Sequence, residues 1–325
     1  KDFDDAVCLV EEEGKKTLWI AIADVSHYIL PDTALDDEAR ARATSVYLPH
    51  TVLPMLPSKL SDNLCSLKEK VPRLAMALSI EIESDWTVGK VEAFESLIIV
   101  KENLSYEDVV GNPRFENMLN LAKELRKKQT RLNLNSSELR PRVNGDSVEI
   151  KVKWPNEATM MIETFMVEAN NSIGILLGEK NAPLPWRNHA PPDNPEVEEL
   201  NAKFVEMDID IQLPESSTKK IGQSDEAELA DLLGNWAQSG NIKISGLEVK
   251  DEEDIADYLK NVLDPEARKN ILEALSSAQE KATSLKESTR RIVDHGLFYL
   301  LQRAFYSSNN SGHFGLNLDA YVHFT

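Results

Sequence analysis

The sequence predicts an α+β fold, with a largely antiparallel sheet flanked by helices. Runs that alternate like strands lie in the first 100 residues, whereas helical periodicity dominates from residue 157 onward. The early runs are joined by short charged turns, which indicates hairpins rather than parallel crossovers. A chain of 325 residues can bury a large core, and its sequence contains no apolar run long enough to cross a membrane.

The first element predicted is a β-hairpin. Two apolar runs, Val7–Val10 and Leu18–Val25, are separated by a charged turn that contains Gly14. If the turn centres near Gly14, antiparallel pairing places Asp4 opposite Asp24 to within a residue or two. A simple strand-end or turn acid is an equally good interpretation of Asp24.

The later elements follow from the same periodicities. Alternating runs predict two strands and a second hairpin, and amphipathic stretches predict four helices. The strands are Leu74–Glu83 and Val88–Val100, the hairpin is Val143–Trp154, and the helices are Asp36–Ala43, Phe115–Leu132, Glu157–Leu177 and Ile292–Phe305. Ser105 and Asp108 have the spacing of a helix-capping box. Pro183–Pro195 is predicted to be irregular, and Val197–Glu287 to be an acidic helical, insertion-like segment within a single domain.

The net charge and the cysteines limit the classes of protein to which the chain can belong. A formal net charge of −19 argues against a nucleic-acid partner. However, residues 193–280 hold 22 acidic and 8 basic side chains, so most of the excess belongs to one solvated helical surface. Cys8 and Cys65 both lie in apolar stretches, which predicts buried free thiols in a reducing cytoplasm.

Three carboxylates, Asp2, Asp4 and Asp5, begin the first hairpin. A cation would relieve their repulsion, and hard oxygen ligands suit Mg²⁺. Taken alone, the group is also consistent with an acidic tail. An EF-hand loop starting at Asp2 would need glycine where Val7 stands, and a phosphotransfer aspartate of the haloacid-dehalogenase kind follows its strand instead of preceding it.

Several short motifs follow one another along the chain. They are Asp2–Ala6, Ile22–Tyr28, Thr44–Pro49, Pro54–Pro57, Leu64–Leu67, Met161–Glu163, Gly312–Leu316 and Tyr321–Thr325. Together they resemble the catalytic domain of the ribonuclease II (RNB) family of 3′→5′ exoribonucleases, over nearly the whole chain except about Val197–Glu287. In that family another Asp precedes the first motif by about six residues, and Ser-Pro-Ile-Arg-Arg-Tyr follows the last. We therefore expect the site to be clipped at both ends.

The resemblance implies a processive, hydrolytic exoribonuclease of the ribonuclease II type, which releases nucleoside 5′-monophosphates from single-stranded RNA. It implies that Asp5 and the upstream Asp bind Mg²⁺, that Asp4 is most needed for the chemical step, and that Asp2 completes the site. Metal ions held by such carboxylates activate water and relieve charge on the phosphodiester. Flanking OB-type RNA-binding domains are expected in the full-length chain. The alternative is a member of the family that has lost catalysis and binds RNA as a regulator.

The resemblance also implies further contacts. Tyr47 would stack on a 3′-terminal nucleotide, although a tyrosine between two apolar residues is more often part of the core. Contacts to the RNA backbone or 2′-hydroxyl groups are predicted for Asn63, Ser66, His189 and His323. For the two histidines, structural hydrogen bonding is an equally open interpretation. Glu163 and Asn170 lie seven apart on one helix face, where they either support the metal ligands or cap structure.

Overall fold

The computed structural model describes residues 3–48, 50–129, 138–144, 147–192, 194–214, 265–301 and 303–325. Helices and antiparallel sheets are mixed, which confirms the predicted α+β class. The strands are β1 Asp5–Glu12, β2 Lys15–Ala23, β3 Val46–Tyr47, β4 Val52–Leu53, β5 Pro72–Ile82, β6 Val88–Ile99, β7 Glu138–Asn144, β8 Ser147–Lys153, β9 Trp186–Asn188 and β10 Phe305–Ser307. The helices are α1 Ala34–Arg42, α2 Tyr106–Val109, α3 Glu116–Lys128, α4 Glu157–Gly178, α5 Asn194–Glu206, α6 Pro265–Thr283 and α7 Glu287–Leu300.

The chain divides into two compact units. The first comprises residues 1–128, 135–173 and 324–325, and the second comprises residues 129–134 and 174–323. Within the parts of the chain that the structure describes, every helix is too short or too polar to cross a membrane.

The first unit is built on a four-stranded antiparallel sheet with the order β1-β2-β5-β6. The predicted first hairpin is confirmed. Its turn residues Glu13 and Gly14 have φ values of 51° and 79°, and two left-handed residues are what a two-residue hairpin turn needs to match the strand twist. Asp5 pairs with Ile22, and the Ala23 N–H donates to the Asp4 carbonyl. Asp4 therefore lies opposite Ala23, one residue from the predicted partner.

The open end of this hairpin is packed against the segment of residues 60–67. That segment contains a short π-helix, Leu60–Leu64, and its side chains form a core cluster with the end of β2. The buried members are Ala21, Ala23, Leu60, Cys65, Leu67 and Ala75, with Phe3 and Ala6 partly buried against them. Burying a side chain the size of Leu67 contributes about 2 kcal/mol, so this packing fixes the chain where β1 begins.

The second unit has a helical core and a small two-stranded sheet. Apolar side chains of α5, α6 and α7 pack together, with Phe204, Leu272, Leu297 and Phe314 among the buried residues. Strand β9 pairs antiparallel with β10. On its other side, Trp186 forms an antiparallel bridge with Val322.

Some sequence predictions were wrong at their edges. The predicted helix Ile292–Phe305 ends at Leu300, because Phe305 begins β10 and pairs with β9, which lies in the segment predicted to be irregular. Cys8 was predicted to be buried, but it is exposed, because its cross-strand neighbour Trp19 is itself 38% exposed. Of the acidic segment, residues 215–264 lie outside the described residues, as do residues 130–132 of the predicted helix Phe115–Leu132.

Candidate active site

The candidate site of the first unit lies at the open end of the β1–β2 hairpin. Asp4 and Asp5 are exposed there, and Asp24 follows the last residue of β2 and is buried. Burial, and then the charges of Asp24 and Asp4, raise the pKa of the Cys65 thiol. The backbone pairing brings the two residues close along the hairpin, since Asp4 lies opposite Ala23, the residue before Asp24. Asp2, the remaining predicted acid, lies outside the described residues.

Asp24 combines the two interpretations that its sequence left open. One oxygen, Oδ1, accepts hydrogen bonds from the Ser26 hydroxyl at 2.7 Å and from the His27 N–H at 3.1 Å. These bonds are typical of an Asx-type turn. The Asp24 carboxylate is thus held in one orientation at the end of β2.

The carboxyl group of Asp5 is partly desolvated. Desolvation raises the pKa of the Asp5 carboxyl, even though the residue as a whole is exposed. A carboxyl group whose charged form is disfavoured in this way gains from a nearby cation. That property is consistent with its predicted role as a metal ligand.

The chain just before Asp4 is held by the buried turn at residues 66–67. The Phe3 N–H donates to Ser66 Oγ at 3.1 Å, and the Leu67 N–H donates to the Phe3 carbonyl at 2.8 Å. Ser66 is fully buried, and the RNA contact predicted for it stays a prediction. We interpret Ser66 as a residue that positions Asp4.

Arg73, at the start of β5, forms hydrogen bonds with the turn at residues 63–66. Its Nε donates to the carbonyls of Asn63 and Ser66, both at 3.0 Å, and its Nη2 donates to Asn63 Oδ1 at 3.0 Å. Asn63 is exposed, but its side-chain oxygen is already used by this guanidinium. Sequence reasoning missed Arg73, since an arginine at a strand start has no pattern that separates it from a surface residue.

Tyr47 stands on the two-stranded ribbon of β3 and β4, directly opposite Val52. It is 70% exposed, which excludes the core interpretation that its apolar neighbours favoured. An exposed aromatic ring on a short ribbon is available for stacking. Its predicted contact with a nucleotide stays a prediction.

The two polar residues of helix α4 have different surroundings. Asn170 is buried, and its Oδ1 accepts from the N–H groups of Phe324 and Thr325 at 2.8 and 2.9 Å. It therefore anchors the last described residues to the helix. Glu163 is exposed and lies 3.5 Å from the Arg126 guanidinium. The predicted support of metal ligands by Glu163 and Asn170 stays a prediction.

In the second unit, His189 organises the loop of the Gly312–Leu316 motif. Its Nδ1 accepts from the Gly315 N–H at 2.8 Å, and its backbone bonds both Gly312 and Phe314. A Cβ on Gly315 would lie 2.8 Å from His189 Nδ1, so only glycine fits there. These contacts favour the structural interpretation of His189. His323 is exposed, and its Nδ1 lies 2.6 Å from the Tyr306 hydroxyl.

His313 makes the stability of this loop depend on pH. Burial, and then the neighbouring His189, lower the pKa of His313 from 6.5 to about 3. Between these values the unfolded chain binds a proton that the native state does not. Stability is therefore complete above pH 6.5 and is lost as the pH falls towards 3. We expect His313→Gln to reduce the difference in unfolding free energy between about pH 7.5 and about pH 4.5, measured by urea denaturation.

The exposed His50 provides the control for that measurement. His50→Gln removes an imidazole that has no buried environment, so the pH difference should match that of the unmodified chain. An unchanged pH difference in His313→Gln would contradict the assignment.

The donor chemistry at the hairpin end fits a hard cation, but the described residues do not complete a site. Asp4 and Asp5 offer carboxylate oxygens, the ligand type that Mg²⁺ prefers. Across the described ranges, no group of three or more His, Cys, Asp or Glu side chains is arranged to hold a metal ion. The third predicted ligand, Asp2, is not among those residues.

Comparison with known proteins extends over the whole chain. The family model described as "RNB domain" matches residues 1–325. A ribonuclease R of Thermotoga maritima is 30% identical over 346 aligned residues, which cover all of this chain and 41% of the relative. The chain spans about a third to two fifths of the length of the curated relatives that it matches.

Solved structures show the same fold. The Mycoplasma genitalium RNase R in complex with ribose methylated single-stranded RNA has a TM-score of 0.73 and 22% identity, and the match covers all of this chain and 45% of that one. The yeast pseudonuclease Ssd1 has a TM-score of 0.63 and 16% identity, and the match covers 99% of this chain and 35% of that one. At these identities the likeness shows the fold alone.

Proposed function

The chain belongs to the RNB domain family, and we propose that it is the catalytic part of a 3′→5′ exoribonuclease of the ribonuclease II type. It would hydrolyse single-stranded RNA processively to nucleoside 5′-monophosphates. The observation that carries this proposal is the hairpin end, where the β1–β2 pairing places the exposed Asp4 opposite Ala23, the residue before the buried Asp24. The chain that carries these residues aligns with a ribonuclease R over its whole length.

Ribonucleases of this family generally depend on a divalent metal ion, and we propose Mg²⁺ here, held by Asp5, Asp4 and Asp2. When bound, the ion supplies charge neutralisation at the scissile phosphodiester and lowers the pKa of the attacking water. Asp4 is exposed and its backbone is fixed on both sides, by Ser66 through Phe3 and by Ala23. Its carboxylate is therefore both accessible and preorganised.

The direct test uses the full-length protein and a 5′-labelled single-stranded RNA. In Mg²⁺ we expect degradation from the 3′ end, release of 5′-monophosphates, and persistence of intact substrate beside short end products. EDTA should stop the reaction, and an RNA with a blocked 3′ end should resist. Internal cleavage products, or 3′-phosphate ends, would contradict the proposal.

Tyr47 gives a second test. We expect Tyr47→Ala to weaken binding of single-stranded RNA by about tenfold, since stacking one base on an aromatic ring contributes about 1–3 kcal/mol. Tyr47→Phe keeps the ring and should bind like the unmodified protein. Affinity can be measured by fluorescence anisotropy in EDTA. Val52→Ala, on the exposed strand opposite Tyr47, is the matched control, and an equal loss there would point to the ribbon rather than the ring.

Two other properties are part of the proposal. Flanking OB-type domains in the full-length protein would supply the positive potential that a chain of net charge −19 lacks. The cysteines are free, Cys8 exposed and Cys65 buried, which supports a reducing compartment such as the cytoplasm.

A second candidate is an RNA-binding regulator without catalysis. The yeast pseudonuclease Ssd1 has the same fold, so the fold by itself is compatible with either candidate. Retention of Asp2, Asp4 and Asp5 argues for the enzyme, since three neighbouring acids repel one another without a cation. The flanking sequence separates the two candidates. Absence of the upstream Asp, or of the arginine pair after Thr325, would favour the regulator.

A further inference from the structure

A cationic aromatic surface lies in the second unit, formed by Arg187, Tyr306 and His323; we name it the Arg-Tyr-His surface. Arg187 on β9 pairs directly with Tyr306 on β10, and its guanidinium carbon lies 4.7 Å from the centre of the tyrosine ring. The Tyr306 hydroxyl lies 2.6 Å from His323 Nδ1. The Arg187 N–H donates to the Tyr321 carbonyl at 2.8 Å, which brings the segment of His323 alongside β9.

This surface is open to solvent. Tyr306 is 54% exposed, His323 is exposed, and Arg187 is half-buried. An aromatic ring that is exposed on a short sheet contributes little to a core. It can, however, offer a flat face to a ligand.

The charge of Arg187 is not neutralised by the part of the chain that the structure describes. Some other cations of the same unit form ion pairs, for example Lys203 with Glu199 and Arg291 with Glu287. Among the described residues, no carboxylate lies within ion-pairing distance of Arg187. Its charge instead adds to burial in lowering the pKa of His323. An unneutralised arginine beside an imidazole, in a chain with 55 acidic residues, indicates that an anion from outside completes the arrangement.

We propose that the Arg-Tyr-His surface binds a phosphodiester of single-stranded RNA, in addition to the carboxylates of the hairpin end. The planar guanidinium fork matches two phosphate oxygens, and the exposed Tyr306 ring suits the adjoining base. This inference rests on the proposed function for the identity of the anion. It makes Arg187 and Tyr306 substrate-binding residues, a role that no motif in the sequence suggested.

A purely structural role is the competing explanation. The stacked pair would stabilise the pairing of β9 with β10, as a cross-strand contact does. Such a role accounts for the position of Tyr306, but it does not account for a guanidinium without a carboxylate. The two explanations differ in what they predict for RNA binding as a function of salt.

The test measures binding of a fluorescent single-stranded RNA to the full-length protein in EDTA, at several KCl concentrations. Arg187→Met should weaken binding by about tenfold and reduce the slope of log K against log salt by about 0.7, the value of one phosphate contact on a single strand. Arg187→Lys should restore the slope. Tyr306→Ala should weaken binding, and Tyr306→Phe should not. Inorganic phosphate as the probe should bind without dependence on the Tyr306 ring.

Arg291→Met is the matched control, because it removes the same charge from an exposed, already paired site of the same unit. It should change neither affinity nor slope. Wild-type affinity and slope in Arg187→Met would overturn the proposal. Should that variant fail to fold, Arg187→Gln is judged by the same criterion.

Nuclease activity, assayed separately in Mg²⁺, keeps this inference distinct from the proposed function. Weaker RNA binding by Arg187→Met, together with no degradation by the unmodified protein, would support RNA binding at the Arg-Tyr-His surface and contradict the proposed nuclease activity. Degradation with unaffected binding in Arg187→Met would do the reverse. An unmodified protein that does not bind RNA would overturn both.

Discussion

Asp4→Asn in the full-length protein should lower the rate of RNA degradation by about a thousandfold or more while RNA is still bound. The substitution keeps the shape of the side chain and removes one charge and one hard ligand. Stabilising the charge that develops at a phosphodiester is worth several kcal/mol, and each 1.4 kcal/mol is a factor of about ten in rate. Single-turnover degradation of 5′-labelled RNA measures the rate, and anisotropy in EDTA measures the affinity.

The fold should tolerate this change, because Asp4 is exposed, its own carbonyl accepts from the Ala23 N–H, and the preceding Phe3 carbonyl accepts from the Leu67 N–H. Asp37→Asn is the matched control, since it makes the same exchange at an exposed position of α1. It should degrade RNA at the unmodified rate. Full activity in Asp4→Asn would exclude the proposed mechanism, and equal losses in both variants would implicate net charge rather than position.

The hairpin that presents Asp4 could be predicted because its determinants are local. Alternation sets the two strands, and Gly14 beside a charged residue sets the turn. Together they fix which residues lie opposite each other, so Asp24 could be placed near Asp4 to within one residue. The α+β class followed from the same local signals.

The residues that hold the hairpin end, and those that hold the Gly312–Leu316 loop of the second unit, could not be predicted, because they act over long sequence separations. At the hairpin end, Ser66 bonds Phe3 across 63 residues, and in the loop His189 bonds Gly315 across 126. The exposure of individual side chains could not be predicted either. Whether Cys8 is covered depends on what packs on one face of β1, and the alternation of a strand does not tell which face that is. Tyr306 was missed because β10 is only three residues long and begins at the last residue of a predicted helix.

Arg73 is the clearest example of such a residue, and its loss should have the second-largest effect. Arg73→Met removes hydrogen bonds to Asn63 and Ser66 at 3.0 Å and to the Pro72 carbonyl at 3.1 Å. Bonds from a charged donor contribute about 1.5–3 kcal/mol each. Because the acceptors are partly exposed, we expect the free energy of unfolding to fall by about 3 kcal/mol in total. Urea denaturation measures this change.

The effect on turnover follows from what the turn supports. Ser66 Oγ accepts a hydrogen bond from the Phe3 N–H, and Phe3 directly precedes Asp4. If the turn becomes mobile, the Asp4 carboxylate is therefore displaced. A misplacement of about 1 Å can cost about a hundredfold in rate. We expect kcat for RNA degradation to fall by about that factor, well below the melting temperature of the variant, with a much smaller change in KM. Arg73→Lys should recover only part of this rate, since a single ammonium cannot reach all four acceptor atoms of Arg73.

Arg40→Met separates this positioning role from the loss of a surface charge. Arg40 also bonds a nearby acid, Asp36 at 2.7 Å, but its side chain is 68% exposed, and an exposed pair of this kind contributes at most about 1 kcal/mol. It should change neither kcat nor stability appreciably. If Arg73→Met kept full turnover at a temperature where it is folded, the turn at residues 63–66 would not control Asp4. The carboxylate would then owe its position to the β1–β2 pairing alone.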